Sequence, residues 1–144
     1  MTASPCPLCD STGGDLIWQS ALYRVVSVDE PGYPGFCRVI LNRHVAEMTD
    51  LPPEERQSLM AAVWAVEEVL RSELAPDKIN LASLGNVVPH LHWHVIPRWR
   101  DDMHFPAPIW AQATREAKAR TPDMARLRAA LASRLLMLEA FAKE

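Results

Sequence analysis

The sequence predicts an α+β fold, built on a mostly antiparallel five-stranded sheet with one long helix after the third strand. Short segments rich in β-branched and aromatic residues follow one another before residue 42. A helical pattern begins only at Pro52, and two more strand-like segments and a final helical segment follow it. The order of three strands, a helix, two strands and C-terminal helices is typical of this fold class.

The first three strands are predicted before residue 42. Residues 16–19 and 22–28 form a hairpin, because both are apolar and β-rich and only two residues separate them. Residues 29–35 (DEPGYPG) hold two prolines and two glycines, which predicts a loop. Residues 36–41 (FCRVIL) form the third strand, in which we expect Cys37 to be a buried, small apolar residue.

A long amphipathic helix is predicted over residues 53–74. Its apolar residues recur every three or four positions, at Leu59, Val63, Val66, Leu70 and Leu74. The helix ends before Pro76, and strands are predicted at 78–84 and 90–98, with a break at 85–89.

The last helix is predicted to begin at Pro122. One apolar stripe runs along it, formed by Met124, Leu127, Leu131, Leu135, Leu138 and Ala142. Such a stripe predicts core packing or a subunit contact. We expect residues 1–144 to form a single domain, with its core at about 6–100 and a C-terminal loop and helices at 101–144.

The charge and composition restrict the function classes. A net charge of −3 and a pI of about 5.9 exclude a global positive field that would attract nucleic acid or an anionic membrane. No apolar run reaches the roughly 20 residues that span a bilayer, and the first ten residues do not resemble a secretion signal. The three cysteines favour reduced thiols or a metal ligand set. We expect a cytoplasmic protein that acts on a small molecule.

Three of the five histidines alternate with apolar residues in the stretch HLHWHVI, residues 90–96. In a strand, side chains two positions apart share a face, so His90, His92 and His94 would form a row with neighbouring Cα atoms ~6.5–7 Å apart. Leu91 and Trp93 would face the opposite way. This pattern predicts imidazoles that line a surface groove above an apolar face.

The row has three interpretations. A half-exposed strand could carry histidines without a function, but three in register make that reading improbable. A zinc hydrolase could use the row as ligands, although neighbouring histidines on a flat strand reach one ion with difficulty. In the third interpretation the middle histidine attacks phosphorus, while the others contact phosphate oxygens and the leaving group. The spacing fits this last role better.

These residues resemble the signature of the histidine triad (HIT) superfamily, in which histidines alternate with apolar residues. The similarity extends to Asn80, to residues 85–88 before the row and to residues 97–98 after it. Residues 29–35 resemble the family's acidic, proline-containing loop. The resemblance is to the bacterial branch that is like diadenosine polyphosphate hydrolases or nucleoside phosphoramidases, and it implies a HIT-like fold and a homodimer.

The resemblance implies a hydrolase or nucleotidyl transferase that cleaves a phosphoanhydride or phosphoramidate bond of a nucleotide. His92 would be the nucleophile and would form a covalent nucleotidyl-histidine. His94 would contact the phosphate and assist the leaving group, and His90 would support the row. No organic cofactor is expected.

The resemblance also implies nucleotide contacts outside the row. Asn80 and Asn86 match positions that contact the nucleotide or hold the catalytic histidine, and Asp29 would meet the ribose hydroxyls. Arg98, at the end of the histidine strand, is predicted either to hold a distal phosphate with its guanidinium group or to be solvated at the surface. Trp110 could stack on a base, but an aromatic residue here more often packs in the core.

Two positions depart from the family pattern. Asn86 stands where a glutamine is common, and it is one methylene shorter with the same amide group. Phe36 stands where a histidine is common, so an accessory histidine is lost. The substitution at Phe36 makes a nucleotide-binding module with little catalytic activity a credible alternative.

Cys6 and Cys9 have the two-residue gap that lets two thiolates bind one ion. Similarity to bacterial family members that begin with the same motif implies that His44 and His90 complete a structural Zn²⁺ site. The alternatives are a redox pair or two thiols without a function. A redox pair normally opens a helix after a strand, whereas a polar turn follows here.

Overall fold

The computed structural model describes residues 5–142, so the first four and last two residues of the predicted domain lie outside the described residues. Five strands form one sheet: β1 (Asp15–Gln19), β2 (Tyr23–Ser27), β3 (Cys37–Leu41), β4 (Lys78–Ala82) and β5 (His92–Arg98). Their order is β1-β2-β3-β5-β4, and every neighbouring pair is antiparallel. The predicted five-stranded antiparallel sheet is confirmed.

Three helices and one 3₁₀ turn complete the fold: α1 (Pro7–Asp10), the turn Met48–Asp50, α2 (Pro53–Leu74) and α3 (Met124–Phe141). Helix α2 has the bounds that its apolar periodicity predicted, and it ends because Ala75 adopts a left-handed conformation before Pro76. The prediction of several C-terminal helices is corrected to one, since residues 99–123 form turns and irregular chain.

Helices α2 and α3 cover one face of the sheet. Val25, Val39 and Val95 are fully buried on that face. The helices contribute buried side chains to the same cluster, among them Leu59, Val63, Val66, Leu70, Leu127, Leu131 and Leu135. These residues belong to the apolar stripes read from the sequence, so the two stripes form the main core, while Met124 at the start of the α3 stripe remains exposed.

Among residues 5–142, two small apolar clusters pack on the opposite face of the sheet. At one end, Leu8 of α1 packs on Val26 and Ile40. At the other end, Tyr33 and Phe36 pack on Ile96. The sheet face between these two small clusters carries the side chains of His92, His94 and Arg38, because β3 pairs with β5 in a register that sets Arg38 opposite His94.

Gly35 brings the loop before β3 into close contact with α2. Its φ angle of 89° is in the left-handed region, and a Cβ atom there would lie 2.5 Å from Leu74 Cδ1. This close approach sets where Phe36 enters the sheet.

The histidine strand begins two residues later than predicted. His90 lies before β5, and it is buried instead of lining an open groove with His92 and His94. The chain turns here because the His90 N–H donates to Val88 O and the Leu91 N–H donates to Val45 O. Within residues 5–142, none of the helices combines the length and apolarity that crossing a bilayer requires.

Candidate active site and metal centre

The imidazole of His92 is held in one orientation by the backbone. Its Nδ1 atom lies 2.6 Å from the carbonyl oxygen of His90. A carbonyl oxygen only accepts, so Nδ1 carries the proton and Nε2 keeps a free lone pair. Ser83 Oγ donates to the His92 carbonyl at 3.0 Å and fixes the strand at this point. The half-buried His92 ring therefore has the tautomer that a nitrogen nucleophile needs.

His94 lies beside His92, with a ring-centroid distance of 5.0 Å, and only 6% of it is exposed. Phe36 and Trp110 both pack edge-on against its ring, at 5.6 Å and 5.1 Å. Burial is the largest of three effects that together lower the pKa of His94 to about 4, and the other two are the nearby charges of His92 and Arg38. His94 is therefore neutral near pH 7.

Arg38 occupies the neighbouring strand on the same face. Its Nε donates to His94 Nδ1 at 3.5 Å, and its Nη1 donates to Gly13 O at 3.2 Å. The guanidinium carbon lies 5.7 Å from the centre of the Phe36 ring. Burial lowers the pKa of Arg38, while Glu30 opposes that effect. The site thus combines two imidazoles with a cation.

The ring of His90 points away from His92 and His94, toward the segment that carries α1. His90 Nδ1 lies 3.4 Å from both Cys6 Sγ and Cys9 Sγ, and 3.2 Å from His44 Nδ1. Cys9 Sγ lies 3.4 Å from His44 Nδ1. All four ligand atoms fall within 4.8 Å of one another.

This group fits a tetrahedral Zn²⁺ ion. Zn–S and Zn–N bonds of ~2.3 and ~2.0 Å place neighbouring ligand atoms about 3.3–3.8 Å apart, close to the distances seen here. The Nε2 atom of His90 lies 2.6 Å from Leu41 O, so Nε2 donates and Nδ1 keeps the lone pair that a metal requires. Cys6, Cys9, His44 and His90 would hold the ion, which would tie α1 to the start of β5.

The arrangement of the sheet and of the two histidine sites corresponds to a described protein family. Residues 12–101 match the model of the HIT domain. The chain belongs to the HIT domain family. The family resemblance noted from the histidine row is thereby confirmed.

Relatives of this HIT domain are named as enzymes of dinucleoside polyphosphates. The AP-4-A phosphorylase of Mycobacterium tuberculosis is 31% identical over 104 residues, which cover 68% of this chain and 53% of that protein. The asymmetrical bis(5'-nucleosyl)-tetraphosphatase of Schizosaccharomyces pombe is 30% identical over 95 residues, covering 62% and 52%. The chain therefore spans about half the length of these relatives.

A solved structure has a fold similar to that of this HIT domain along most of the chain. The histidine triad protein from Bradyrhizobium japonicum has a TM-score of 0.69 and 29% identity. The match covers 83% of this chain and 90% of that one. The fold, including the helix after β3 and the C-terminal helix, is thus shared with a histidine triad protein along most of both chains.

Arg98 of the HIT domain does not lie at the surface. It is 2% exposed, and its Nε and Nη2 both donate to the buried carboxylate of Asp102, at 2.7 and 3.0 Å. Nη1 donates to Asn80 Oδ1, and Nη2 also donates to Ala107 O. Four of the five guanidinium N–H groups are engaged, so the arrangement gives Arg98 a structural role, and its contact with a phosphate stays a prediction.

The other predicted nucleotide contacts of the HIT domain lie apart from one another. Asn80 is half-buried and bonded to Arg98, whereas Asn86 is exposed in the turn before His90. Asp29 is exposed and lines a groove of about 830 Å³ between the loop 28–35 and residues 117–120. The structure thus brings together His92 and His94, and it leaves the roles of Asn80, Asn86 and Asp29 as predictions.

Sequence reasoning missed Arg38 and the contact between Trp110 and His94. Arg38 is the one charged residue in the strand FCRVIL. Alternation places its side chain on the face of the strand that does not carry Cys37 and Val39. That signal marks the exposed face of β3. Only the pairing of β3 with β5 shows that this face adjoins His94.

Proposed function

We propose that this HIT domain cleaves a phosphoanhydride or phosphoramidate bond of a nucleotide, with dinucleoside polyphosphates as the preferred substrate class. The observation that carries the proposal is the 2.6 Å contact between His92 Nδ1 and the His90 carbonyl. It holds the Nε2 lone pair of a half-buried imidazole beside a second, neutral imidazole. The names of the curated relatives support the substrate class.

In the proposed reaction His92 Nε2 attacks a phosphorus atom of the substrate. A P–N bond forms, the bond between phosphorus and the leaving group breaks, and the leaving group departs with its electron pair. The ring of the nucleotidyl-histidine is then cationic, and the His90 carbonyl stabilises its Nδ1 proton. Water attacks phosphorus in the second step, breaks the P–N bond and restores the neutral ring, while the water proton passes to solvent or to the product phosphate.

His94 acts as a hydrogen-bond donor in this proposal. Its Nδ1 faces the Arg38 guanidinium, so its proton resides on Nε2, which can donate to a phosphate oxygen or to the leaving oxygen. Because its pKa is about 4, His94 remains a neutral donor through the physiological range. Trp110 is half exposed over the His94 ring and offers an aromatic wall for a base or leaving group.

We also propose a structural Zn²⁺ in the group of Cys6, Cys9, His44 and His90. The ligand distances and the 2.6 Å bond from His90 Nε2 to Leu41 O support it. The ion would stiffen the turn that supplies the His90 carbonyl to His92. The homodimer and the cytoplasmic location remain predictions; the free outer edge of β4 and the half-exposed Trp64 on α2 support a subunit contact.

The two alternative functions differ in their support. A zinc hydrolase that uses all three histidines of the row is not supported, since the His90 ring points to the cysteines and His92 Nδ1 is bonded to a carbonyl. A binding module with little activity keeps some support, because the ring packed against His94 at 5.6 Å belongs to Phe36, which cannot donate or accept a proton. The decisive measurement is therefore whether a covalent intermediate forms.

The test uses diadenosine tetraphosphate and adenosine phosphoramidate with a radiolabelled phosphorus next to adenosine. Rapid denaturation during turnover should trap label on the wild-type protein that is acid-labile and base-stable, as a phosphoramidate bond is. His92→Ala should lose the label and reduce kcat by about 10³-fold or more, while its nucleotide affinity and metal content stay unchanged. Unlabelled wild type without turnover would favour the binding module.

A further inference from the structure

Arg38 carries a positive charge that has no carboxylate partner among residues 5–142 at ion-pair distance. The six ion pairs of the described chain involve other arginines and a lysine. Arg38 is half-buried on a sheet face, where an unpaired cation is unfavourable.

Three contacts nevertheless fix the guanidinium of Arg38. Its Nη1 donates to Gly13 O, its planar group lies near the Phe36 ring, and its Nε–H is aimed at His94 Nδ1. The side chain is therefore ordered before any ligand arrives. Its Nη2 group has no partner among the described residues.

The contact with His94 dictates where the histidine keeps its proton. A guanidinium N–H only donates and is always protonated, so the nitrogen that faces it has to be the unprotonated one. At 3.5 Å the hydrogen bond from Arg38 Nε to His94 Nδ1 is long. Protonation of both ring nitrogens of His94 is also unfavourable, because the resulting imidazolium would lie against the guanidinium and the two charges would repel. Trp110 packs against the same ring, and an indole has no acceptor to offer to Nε2.

We propose that Arg38 is a positioning residue for His94 in the nucleotide reaction: it fixes the His94 proton on Nε2, toward the substrate, and its unpaired charge attracts the polyphosphate chain. The proposal rests on the proposed function for its substrate. The donor at His94 Nε2 and the lone pair at His92 Nε2 then form a complementary pair on one sheet face, one for the phosphate oxygens and one for phosphorus. Glu30 acts on Arg38 only from beyond ion-pair distance, so a polyanionic substrate can supply the direct negative partner.

Two variants distinguish the hydrogen bond from Arg38 to His94 from the attraction of the Arg38 charge for the polyphosphate. Arg38→Lys keeps the charge but loses the directed Nε–H, so kcat should fall about 10-fold while KM for diadenosine tetraphosphate changes less than about twofold. Arg38→Met loses both, so kcat should fall similarly and KM should rise about 5-fold or more. Arg134→Met removes a guanidinium from a surface pair with Glu68 and should change neither constant.

The tautomer of His94 is measured directly by two-bond ¹H–¹⁵N NMR on histidine-labelled protein near pH 7, with His94→Gln for assignment. Wild type and Arg134→Met should show a protonated Nε2 and a bare Nδ1, and both Arg38 variants should show a mixture of tautomers. Thermal unfolding confirms that each variant is folded. An unchanged His94 tautomer in folded Arg38→Met, or a wild-type kcat in Arg38→Lys, would overturn the proposal.

Failure of the proposed function gives a different result. A wild-type protein that turns over no nucleotide refutes the proposed function. The kinetic constants of the Arg38 variants then cannot be measured. The NMR comparison still decides whether Arg38 fixes the His94 proton. The two conclusions are thus read from separate measurements.

Discussion

The Nδ1 atom of His92 lies 2.6 Å from the main-chain carbonyl oxygen of His90, so the two histidines are joined through the backbone of one and the ring of the other. The His90 ring is directed away from His92, into the group formed with Cys6, Cys9 and His44. His90 therefore serves two sites at once. Its carbonyl orients the candidate nucleophile, and its imidazole belongs to the candidate metal centre.

The first prediction is that His90 contributes to catalysis through its backbone carbonyl and to metal binding through its ring. His90→Cys keeps a zinc-binding side chain and the carbonyl, so we expect bound metal and a kcat within about 5-fold of wild type. His90→Ala removes a ligand and should lose the metal and reduce activity more strongly, because the turn before β5 loosens. Metal analysis and steady-state kinetics check both. Loss of activity in His90→Cys with its metal retained would instead assign chemistry to the His90 ring.

The second prediction concerns metal content. We expect about one Zn²⁺ per chain after purification in metal-supplemented medium, and a lower melting temperature after removal of the metal with a chelator. Cys9→Ser should reduce the zinc content at least several-fold, because a hydroxyl is a poor ligand for this ion. Cys37→Ala is the matched control, since Cys37 is buried in β3 and its Sγ donates to Gly35 O. Equal zinc in Cys9→Ser and Cys37→Ala would contradict the site.

The third prediction is a large stability cost for Asp102→Asn. Asp102 is 1% exposed and accepts from Arg98, and the substitution leaves the buried Arg98 charge unpaired. We expect the free energy of unfolding at pH 7 to fall by about 3–5 kcal/mol in urea titrations. Asp101→Asn is the control next to it. Its side chain is 46% exposed, so loss of its pairs with Lys118 and Arg120 should change the free energy of unfolding much less than Asp102→Asn does.

The lowered pKa of Asp102 predicts a difference between wild type and Asp102→Asn in how the free energy of unfolding depends on pH. Burial alone would raise the pKa of Asp102, but hydrogen bonds from Arg98 and from the backbone N–H groups of His104, Trp99 and Phe105 outweigh it and lower the pKa. A carboxyl with a lowered folded-state pKa stabilises the protein above its unfolded pKa of about 3.9, and that stability is lost as the pH falls below it. Wild type should therefore lose more stability than Asp102→Asn between pH 5 and pH 3. Parallel curves for the two proteins would exclude this role.

The fourth prediction links Trp110 to the pKa of His94. Burial is the main cause that lowers this pKa to about 4, and the Trp110 indole covers the ring on one side. Trp110→Ala should raise the His94 pKa by about 1, while the charges of His92 and Arg38 keep it below the ordinary value of ~6.5. An NMR titration of the His94 ring measures the change. Trp64→Ala, a half-exposed tryptophan on α2, is the control, and an equal shift there would point to a global effect.

Local patterns predicted most of the fold. Helix α2 follows from a period of three to four residues that two prolines open and Pro76 closes, and these features act within a few turns of one chain segment. The strands follow in the same way from β-branched runs separated by turn residues. The boundaries that differ lie where tertiary contacts compete, as at His90, whose ring is drawn into the cysteine group.

The candidate site was only partly predictable. Alternation predicted that His92 and His94 share a face, since that follows from strand geometry alone. The surface position expected for Arg98 was not found, because Arg98 donates to Asp102 and to Ala107 O, and Asp102 also accepts from the Tyr33 hydroxyl. Tyr33 and Asp102 are 69 residues apart in the sequence, and no local pattern encodes such a contact.

By itself the sequence determined the α+β class, the long helix, the histidine row and the Cys6/Cys9 pair, since each depends on residue type and spacing along the chain, while the family resemblance added His44 and His90 as candidate metal ligands. Only the tertiary structure decided that the His90 ring leaves the row, that Arg38 adjoins His94, and that Arg98 is enclosed. Those outcomes depend on which strands pair and in which register, and β3 is separated from β5 along the chain by α2 and β4. Register between such distant segments is set by the packing of the whole core.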